Sequence, residues 1–267
     1  TDTTATASAT TMAAPGSLAT DGQRLFVTDY TNSRVLVFDT APTTSGAPAS
    51  YAIGQPDLVT GTSACSATGL NHPESVTYAA GRLIVTDTSN NRVLIWNSVP
   101  DTFGVTPDVV LGQGSFTTCV ADDDDQDGTP DAVPSARVMD FPSDAWSDGE
   151  RLVVTDSVNN RVLIWNEFPT TDFAAADVVL GQPDFGSVAA GLGASGLEYP
   201  YHVHSNGNQL FVGDASNNRV LIWDSLPEAN AQPADQVLGQ FDFATGTTNN
   251  GDLSTNEIGF DNVTGVF

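Results

Sequence analysis

The sequence predicts an all-β fold built from four copies of one four-stranded unit. A segment that runs from an Asp to an Arg occurs four times, as DYTNSR, DTSNNR, DSVNNR and DASNNR, and an apolar run such as VLIWN follows each copy. The spacing is constant, because 14 residues separate a Pro from this Asp and 25 residues separate the Asp from a later Gly-Gln pair. The 24 Gly and 15 Pro favour turns, and no segment has a convincing helical period. Repetition of this length indicates a repeat architecture.

The second copy illustrates the predicted elements in chain order. Its first strand is predicted at Pro73–Tyr78, its second at Arg82–Thr86, its third at Arg92–Asn97 and its fourth at Asp108–Leu111. The middle two strands are nearly continuous in Val, Ile and Leu, which is typical of strands buried on both faces. The turn between them carries Asn residues, which tolerate left-handed backbone conformations.

A sheet that is buried on both faces must pack between copies of itself. The radial solution is a β-propeller, in which four-stranded blades surround a central channel. The predicted propeller covers residues 12–267, and residues 1–11 are a Thr- and Ser-rich linker or connection. The complete blades are predicted at about 12–58, 70–116, 139–185 and 197–243. Residues 258–267 match the start of a further blade, so the predicted fold is four complete blades plus the first strand of a fifth.

A closed ring of four blades has no place for this additional strand. Two explanations stay open: the 267 residues are a window of a longer chain, or an open arc of blades is completed by another subunit. A blade face without a neighbour is a large apolar surface, and such surfaces rarely stay exposed. We therefore expect protein binding or self-association through the blade edge, leading to a polymer or fibre.

The pattern P-x-S-V, followed by G-R-L-x-V-x-D-x-x-N-N-R-V-L-I-W, resembles the NHL repeat. All four units match it, over roughly residues 12–243. The resemblance implies a propeller, most often of six blades. It also implies functions that range from binding scaffolds and sensors to a few lyases and hydrolases with metal-bound histidines around the channel.

Charge excludes several classes of partner. The chain has 33 acidic and 8 basic residues, all eight being Arg, and a formal net charge of −25. Nucleic-acid binding needs clustered cations, so no nucleic-acid partner is predicted. No apolar run approaches the roughly 18 residues of a membrane helix, so no membrane insertion is predicted. The composition favours an extracellular or cell-surface protein, with a salt-adapted source as the alternative, and the lack of a recognised catalytic motif favours a non-catalytic scaffold. Asn262 opens one glycosylation sequon, which makes a glycan a further candidate partner.

An acidic insertion at residues 120–134 contains the pattern D-x-D-x-D-G-x-x-D. Calcium prefers many oxygen ligands in flexible geometry, and this spacing is similar to that of EF-hand-like loops. The predicted ligands are the carboxylates of Asp123, Asp125, Asp127 and Asp131 and the carbonyl of Thr129. Pro134 stands where an EF-hand has its bidentate Glu, so another ligand must come from elsewhere. The alternative is a solvated acidic loop. Structural Ca²⁺ is the predicted cofactor, and no organic cofactor is predicted.

The two cysteines, Cys65 and Cys119, lie after the Gly-Gln pairs of consecutive blades. Equivalent points on adjacent blades are neighbours, so a disulfide is predicted, with two free thiols as the alternative.

Two histidines, His202 and His204, alternate along one predicted strand and therefore face the same side. With a third ligand they can hold zinc, which would indicate a propeller lyase or hydrolase with a metal in the central channel. The alternative is a hydrogen-bonded pair at a blade interface.

The recurring Asp and Arg residues are predicted to be structural, because a catalytic residue is needed once and a scaffold residue in every blade. These pairs are Asp29 and Arg34, Asp87 and Arg92, Asp156 and Arg161, and Asp214 and Arg219. Arg–carboxylate pairs that are removed from water fix geometry more than they add net stability.

Overall fold

The computed structural model describes residues 6–251 and contains four antiparallel sheets of four strands each. The first blade contains β1 (Pro15–Thr20), β2 (Leu25–Asp29), β3 (Arg34–Phe38) and β4 (Tyr51–Ile53). The second contains β5 (Val76–Ala79), β6 (Arg82–Asp87), β7 (Arg92–Trp96) and β8 (Val109–Leu111). The third contains β9 (Pro142–Ser147), β10 (Leu152–Asp156), β11 (Arg161–Trp165) and β12 (Val178–Leu180). The fourth contains β13 (Pro200–Ser205), β14 (Leu210–Asp214), β15 (Arg219–Trp223) and β16 (Gln236–Leu238).

Short 3₁₀ turns are the helical elements of this part of the chain, at Tyr30–Asn32, Thr88–Asn90, Ala215–Asn217 and Thr248–Gly251. Within residues 6–251, no helix has the length and apolar character that crossing a membrane requires.

The four sheets are the blades of a propeller. Each sheet follows chain order, and the first strands β1, β5, β9 and β13 contact one another in sequence around a central channel. The predicted all-β propeller fold with four blades is therefore confirmed. The predicted start of a fifth blade at 258–267 and the sequon at Asn262 lie outside the described residues.

The first strand of the second blade begins later than predicted, at Val76 instead of Pro73. The backbone N–H of Ser75 donates to the Thr86 hydroxyl at 2.8 Å, so a side chain replaces the ladder bond at this point. The N–H of Ser17 bonds Thr28 in the first blade in the same way, at 2.7 Å. A β-bulge follows the first residue of β1, where the pairing register shifts between Pro15 and Leu18.

The hydrophobic core lies between blades. Trp165 of the third blade packs with Val93 and Ile95 of the second. Trp223 of the fourth blade packs with Ile164 of the third in the same way. Each interface is a layer of apolar side chains from two facing sheets, so a blade needs a neighbour on each side to bury both of its faces.

Candidate functional site

Each blade contains a buried Asp–Arg pair at the turn between its second and third strands. In the second blade, Arg92 Nε donates to Asp87 Oδ2 at 2.7 Å, and both side chains are 0% exposed. The Arg92 Nη1 group donates to the Phe116 carbonyl, and Nη2 donates to the carbonyls of Ser66 and Gly69. The guanidinium therefore joins the turn to the end of its own blade and to the connection that precedes that blade.

The other blades repeat this arrangement with the same atoms. The Nε–Oδ2 distance is 2.7 Å in each of the remaining pairs, which are Asp29–Arg34, Asp156–Arg161 and Asp214–Arg219. Arg34 donates to the carbonyls of Ser8 and Thr11, so these N-terminal residues form the connection of the first blade. The recurrence and the complete burial give the pairs a structural role.

The two cysteines form the predicted disulfide. Cys65 and Cys119 are bonded, with their Cα atoms 6.2 Å apart, and the described residues include no free cysteine. The bond links the connections that follow the first and second blades, which are equivalent points of the repeat.

The acidic insertion brings together three of the four predicted carboxylates. One oxygen each from Asp123, Asp125 and Asp131 lies within 4.8 Å of the others. Asp123 is only 1% exposed, and its two oxygens accept the backbone N–H groups of Asp127 and Gly128, each at 3.0 Å.

Asp127 differs from the prediction, because its carboxylate is not part of this cluster. Its Oδ1 accepts both the backbone N–H and the hydroxyl of Thr129, at 2.8 and 2.7 Å. The Asp127 carboxylate is therefore hydrogen-bonded within the loop, to Thr129. The spacing of the Asp residues in the sequence did not indicate this bond.

The inner strands of all four blades surround a cavity of ≈ 450 Å³. On its wall, Asp144 joins three blades: its Oδ1 accepts the Ser75 hydroxyl at 2.6 Å, and its Oδ2 lies 3.2 Å from His202 Nδ1. His204 lines the same cavity, but among the described residues neither His202 nor His204 belongs to a group of three ligand atoms that lie within 4.8 Å of one another. The geometry therefore favours the hydrogen-bonded alternative for His202, whose partner is Asp144.

At one end of the cavity, where the inner strands begin, the residues differ from blade to blade. The residue before the recurring Pro is Ala14, His72, Phe141 or Tyr199, and the residue after it is Gly16, Glu74, Ser143 or Tyr201. His72, Phe141 and Tyr199 have φ of 50°, 59° and 50°, a conformation that is unfavourable for bulky side chains.

We define the channel mouth as Tyr30, His72, Glu74, Tyr199 and Tyr201, all partly exposed. The rings of Tyr30 and His72 are 4.7 Å apart between centroids, and those of Tyr199 and Tyr201 are stacked at 6.0 Å. The Tyr201 hydroxyl interacts with the Glu74 carboxylate, although the two belong to the fourth and second blades. Burial raises the pKa of Glu74, and it also raises the pKa of Tyr201, to which the Glu74 charge adds.

Sequence reasoning missed the channel mouth. The signal that could have found it is departure from the repeat, because these positions vary while the register around them is constant. Such positions are the places in a repeat scaffold where a function needed once can reside.

Residues 70–96, which run from the connection before β5 to the end of β7, match the family model of the NHL repeat. The resemblance inferred from the motifs is thereby confirmed for this segment. No curated protein matches the chain.

Several solved structures have a similar fold. One is a protein assigned as a 6-phosphogluconolactonase from Bacteroides fragilis, with a TM-score of 0.48 and 14% identity over 85% of this chain and 57% of that protein. Streptogramin B lyase has a TM-score of 0.44 and 12% identity, over 82% of this chain and 53% of that protein. The WD40 β-propeller domain of Doa1 has a TM-score of 0.43 and 9% identity, over 84% of this chain and 54% of that domain. The chain spans about half the length of the solved structures that it matches.

Proposed function

We propose that the chain is an extracellular, non-catalytic propeller scaffold that assembles with further copies of itself through its end faces. The observation that supports this proposal most strongly is that apolar residues are exposed although the residues at the same positions in other blades are buried. Leu18 of β1 is 71% exposed, whereas the corresponding residues of the next three blades, Val76, Ala145 and Val203, are 2%, 4% and 3% exposed. We call the surface around Leu18 the first end face.

The opposite surface, on the fourth blade, has the same character. Leu238 of β16 is 48% exposed, and the nearby Phe241 is 72% exposed, although the equivalents of Phe241 in the other blades are exposed too, so Leu238 carries the comparison. The equivalents of Leu238 in the second and third blades, Leu111 and Leu180, are both 0% exposed, because they pack against the next blade. We call the surface around Leu238 and Phe241 the last end face.

The occupant that we propose for both faces is a second copy of the chain, and further blades of a longer chain are the alternative. Leu238 occupies the position through which Leu180 of the third blade packs against the fourth, and Leu18 occupies the position of Val203 on the other side of that interface. Contact between two different faces is head-to-tail, and it produces a ring if the rotation closes and a filament if it does not.

Two further observations support the proposal, one for the extracellular location and one for the role as a scaffold. A disulfide persists in oxidising compartments and is rare in the cytosol. The Asp and Arg residues that recur in every blade are buried in the pairs described above, where they hold chain segments together.

Light scattering and electron microscopy of the purified chain test the assembly. We expect rings or filaments for the unmodified protein and monomers for a Leu238→Ser/Phe241→Ser variant. The control is Val59→Ser/Val133→Ser, which removes two exposed apolar side chains from the connections and should assemble normally. Monomers of the unmodified chain at every concentration would contradict the proposal.

We further propose that the acidic insertion binds structural Ca²⁺, through Asp123, Asp125 and Asp131. Three carboxylates this close repel one another unless a cation compensates their charge. Added Ca²⁺ should raise the melting temperature of the EDTA-treated protein, and an Asp125→Asn/Asp131→Asn variant should lose this response. The charge-matched control Asp101→Asn/Glu167→Gln, at exposed sites elsewhere, should keep it. An equal response in all three proteins would exclude the site.

The alternative function is a lyase or hydrolase that works in the channel. Its support is the Asp144–His202 pair, because a carboxylate that orients an imidazole is a common arrangement for a general base. Equilibrium dialysis with Zn²⁺ separates the two functions. One bound zinc that is lost in His202→Ala/His204→Ala and retained in His72→Ala would favour the enzyme, and absence of bound zinc would favour the scaffold.

A further inference from the structure

Glu74 at the channel mouth is a largely buried carboxylate that forms no ion pair with an Arg among the described residues, although the His202 imidazole favours its charged form. The chain contains eight Arg and no Lys, and each of these Arg residues is engaged elsewhere. Six pair with Asp residues, and Arg82 and Arg137 lie over the rings of Phe168 and Phe173. Burying a charge without a compensating charge is costly, so a site that retains one has another reason for it.

The surroundings of Glu74 are aromatic. The phenol groups of Tyr30, Tyr199 and Tyr201 all lie close enough to Glu74 for its charge to raise their pKa values, in addition to the effect of their own burial. The faces of aromatic rings carry partial negative charge and attract cations, most strongly where water is excluded.

The backbone makes room for this arrangement. At Gly16, a Cβ atom would lie 3.0 Å from the Glu74 carbonyl and 3.9 Å from Glu74 Oε2, so the missing side chain lets the first blade approach the Glu74 backbone closely, next to the carboxylate. In the fourth blade, the register shifts between Pro200 and His202, which places Tyr201 in a bulge. Bulges re-aim side chains, and this one accompanies the interaction of Tyr201 with Glu74 across the channel.

We propose that the channel mouth binds an alkylammonium group, with Glu74 as the counter-ion and the rings of Tyr30, Tyr199 and Tyr201 as the walls of the site. Aromatic walls with one carboxylate are the chemistry that recognises ammonium groups, and an anionic ligand would be repelled by Glu74 and by the nearby Asp140 and Asp144. The net charge of −25 also draws cations toward the protein. The site does not depend on assembly, because all of its residues belong to one copy.

Ligand-observed NMR with choline tests the site, with 3,3-dimethylbutan-1-ol as the neutral compound of the same shape. Choline should bind and the alcohol should not. Glu74→Gln and Tyr201→Leu should each weaken choline binding about tenfold, since a cation–π contact or counter-ion in a desolvated site contributes on the order of 1–2 kcal/mol. The exposed-site control Glu150→Gln should bind choline normally.

The source of the ammonium group is settled by a second probe, N-acetyl-lysine amide, which represents the side chain of a protein partner. Glu74-dependent binding of either probe supports the site, and the tighter probe distinguishes a free amine from a lysine. Equal binding of choline and its neutral analogue, unchanged affinity in Glu74→Gln, or no binding of either probe would overturn the proposal. Melting curves of the variants confirm that they are folded.

Discussion

Arginine is the residue that links the blades of this protein. A guanidinium presents five N–H donors in a fixed planar fork, so one side chain can bond a carboxylate and several carbonyls at once. Arg161 bonds Asp156 and the carbonyls of Phe185, Ser135 and Val138 in this way. A lysine ammonium is a compact point charge that cannot span these separate acceptors, which gives a physical reason for Arg at this position in every blade.

The buried pair predicts an unequal response to two similar substitutions. Arg161→Met leaves Asp156 buried without its partner, and we expect it to lower the free energy of unfolding by about 3–5 kcal/mol in urea denaturation. Arg151→Met breaks a partly exposed pair with Asp148 and should cost about 0–1 kcal/mol. Equal losses would mean that burial of the pair does not decide its contribution.

Glu74 predicts a pH-dependent stability. Burial raises its pKa, while the Tyr201 hydroxyl and His202 oppose this shift by favouring the carboxylate. A raised pKa in the folded state adds stability below the unfolded value of about 4.3, and this contribution is lost as the pH rises through the folded value. Glu74→Gln should therefore unfold at a higher urea concentration than the unmodified protein at pH 7, with a smaller difference at pH 4.

The control for this experiment is Glu167→Gln, which changes the same charge at an exposed position. Its difference from the unmodified protein should be small at both pH values. A Glu74→Gln difference that grows toward pH 4 would have the wrong sign and would refute the assignment.

At the scale of the element, the turn between the second and third strands of each of the first three blades also bonds the next blade. Its last residue is left-handed, with φ between 51° and 54°, and is Ser33, Asn91, Asn160 or Asn218. The side chain of Asn91 accepts the N–H of Phe141 at 3.0 Å, and that of Asn160 accepts the N–H of Tyr199 at 2.8 Å. Ser33 accepts the N–H of His72 at the longer distance of 3.3 Å.

The first blade should therefore become more stable if Ser33 is replaced by the Asn that the other blades have at this position. Ser33→Asn introduces a residue that, after Gly, best tolerates φ near +50° and that can bond His72, so we expect a gain of about 0.5–1 kcal/mol in the free energy of unfolding. The reverse change, Asn160→Ser, should give a loss of similar size. Thermal unfolding of both variants checks the prediction, and a destabilised Ser33→Asn protein would contradict it.

The elements that the sequence predicted well are those fixed by local chemistry. The second and third strands carry apolar residues at the same positions in each blade, and β7 ends at Trp96, one residue before the predicted Asn97. The start of β5 was placed too early because Pro73 has no paired residue in the second strand, unlike Pro15, Pro142 and Pro200. The Asp127 carboxylate was assigned to the acidic cluster, whereas it bonds Thr129. Neither feature can be recognised from the periodicity of apolar and polar residues in the sequence.

The channel mouth was missed for a different reason. Glu74 and Tyr201 lie close together only because the second and fourth blades face each other across the channel. Their spacing along the sequence does not indicate this contact. A search for recurring residues does not detect Glu74 and Tyr201, because each differs from its equivalents in the other blades. The Cys65–Cys119 bond was predictable because it joins equivalent points of adjacent repeats.

At the scale of the whole molecule, two properties oppose each other. The exposed end faces favour association, since burying Leu18, Leu238 and Phe241 removes apolar surface from water. The net charge of −25 opposes it, because two copies repel each other over the length that salt leaves unscreened. This length is about 30 Å at 0.01 M ionic strength and about 3 Å at 1 M.

Assembly should therefore increase with salt. We expect light scattering to show small species at low ionic strength and rings or filaments as NaCl rises toward 1 M, because screening removes the repulsion and leaves the apolar contact. Leu238→Ser/Phe241→Ser should remain small throughout, whereas Val59→Ser/Val133→Ser should follow the unmodified protein. Assembly that dissolves as salt is added would mean that ion pairs, and not the end faces, hold the copies together.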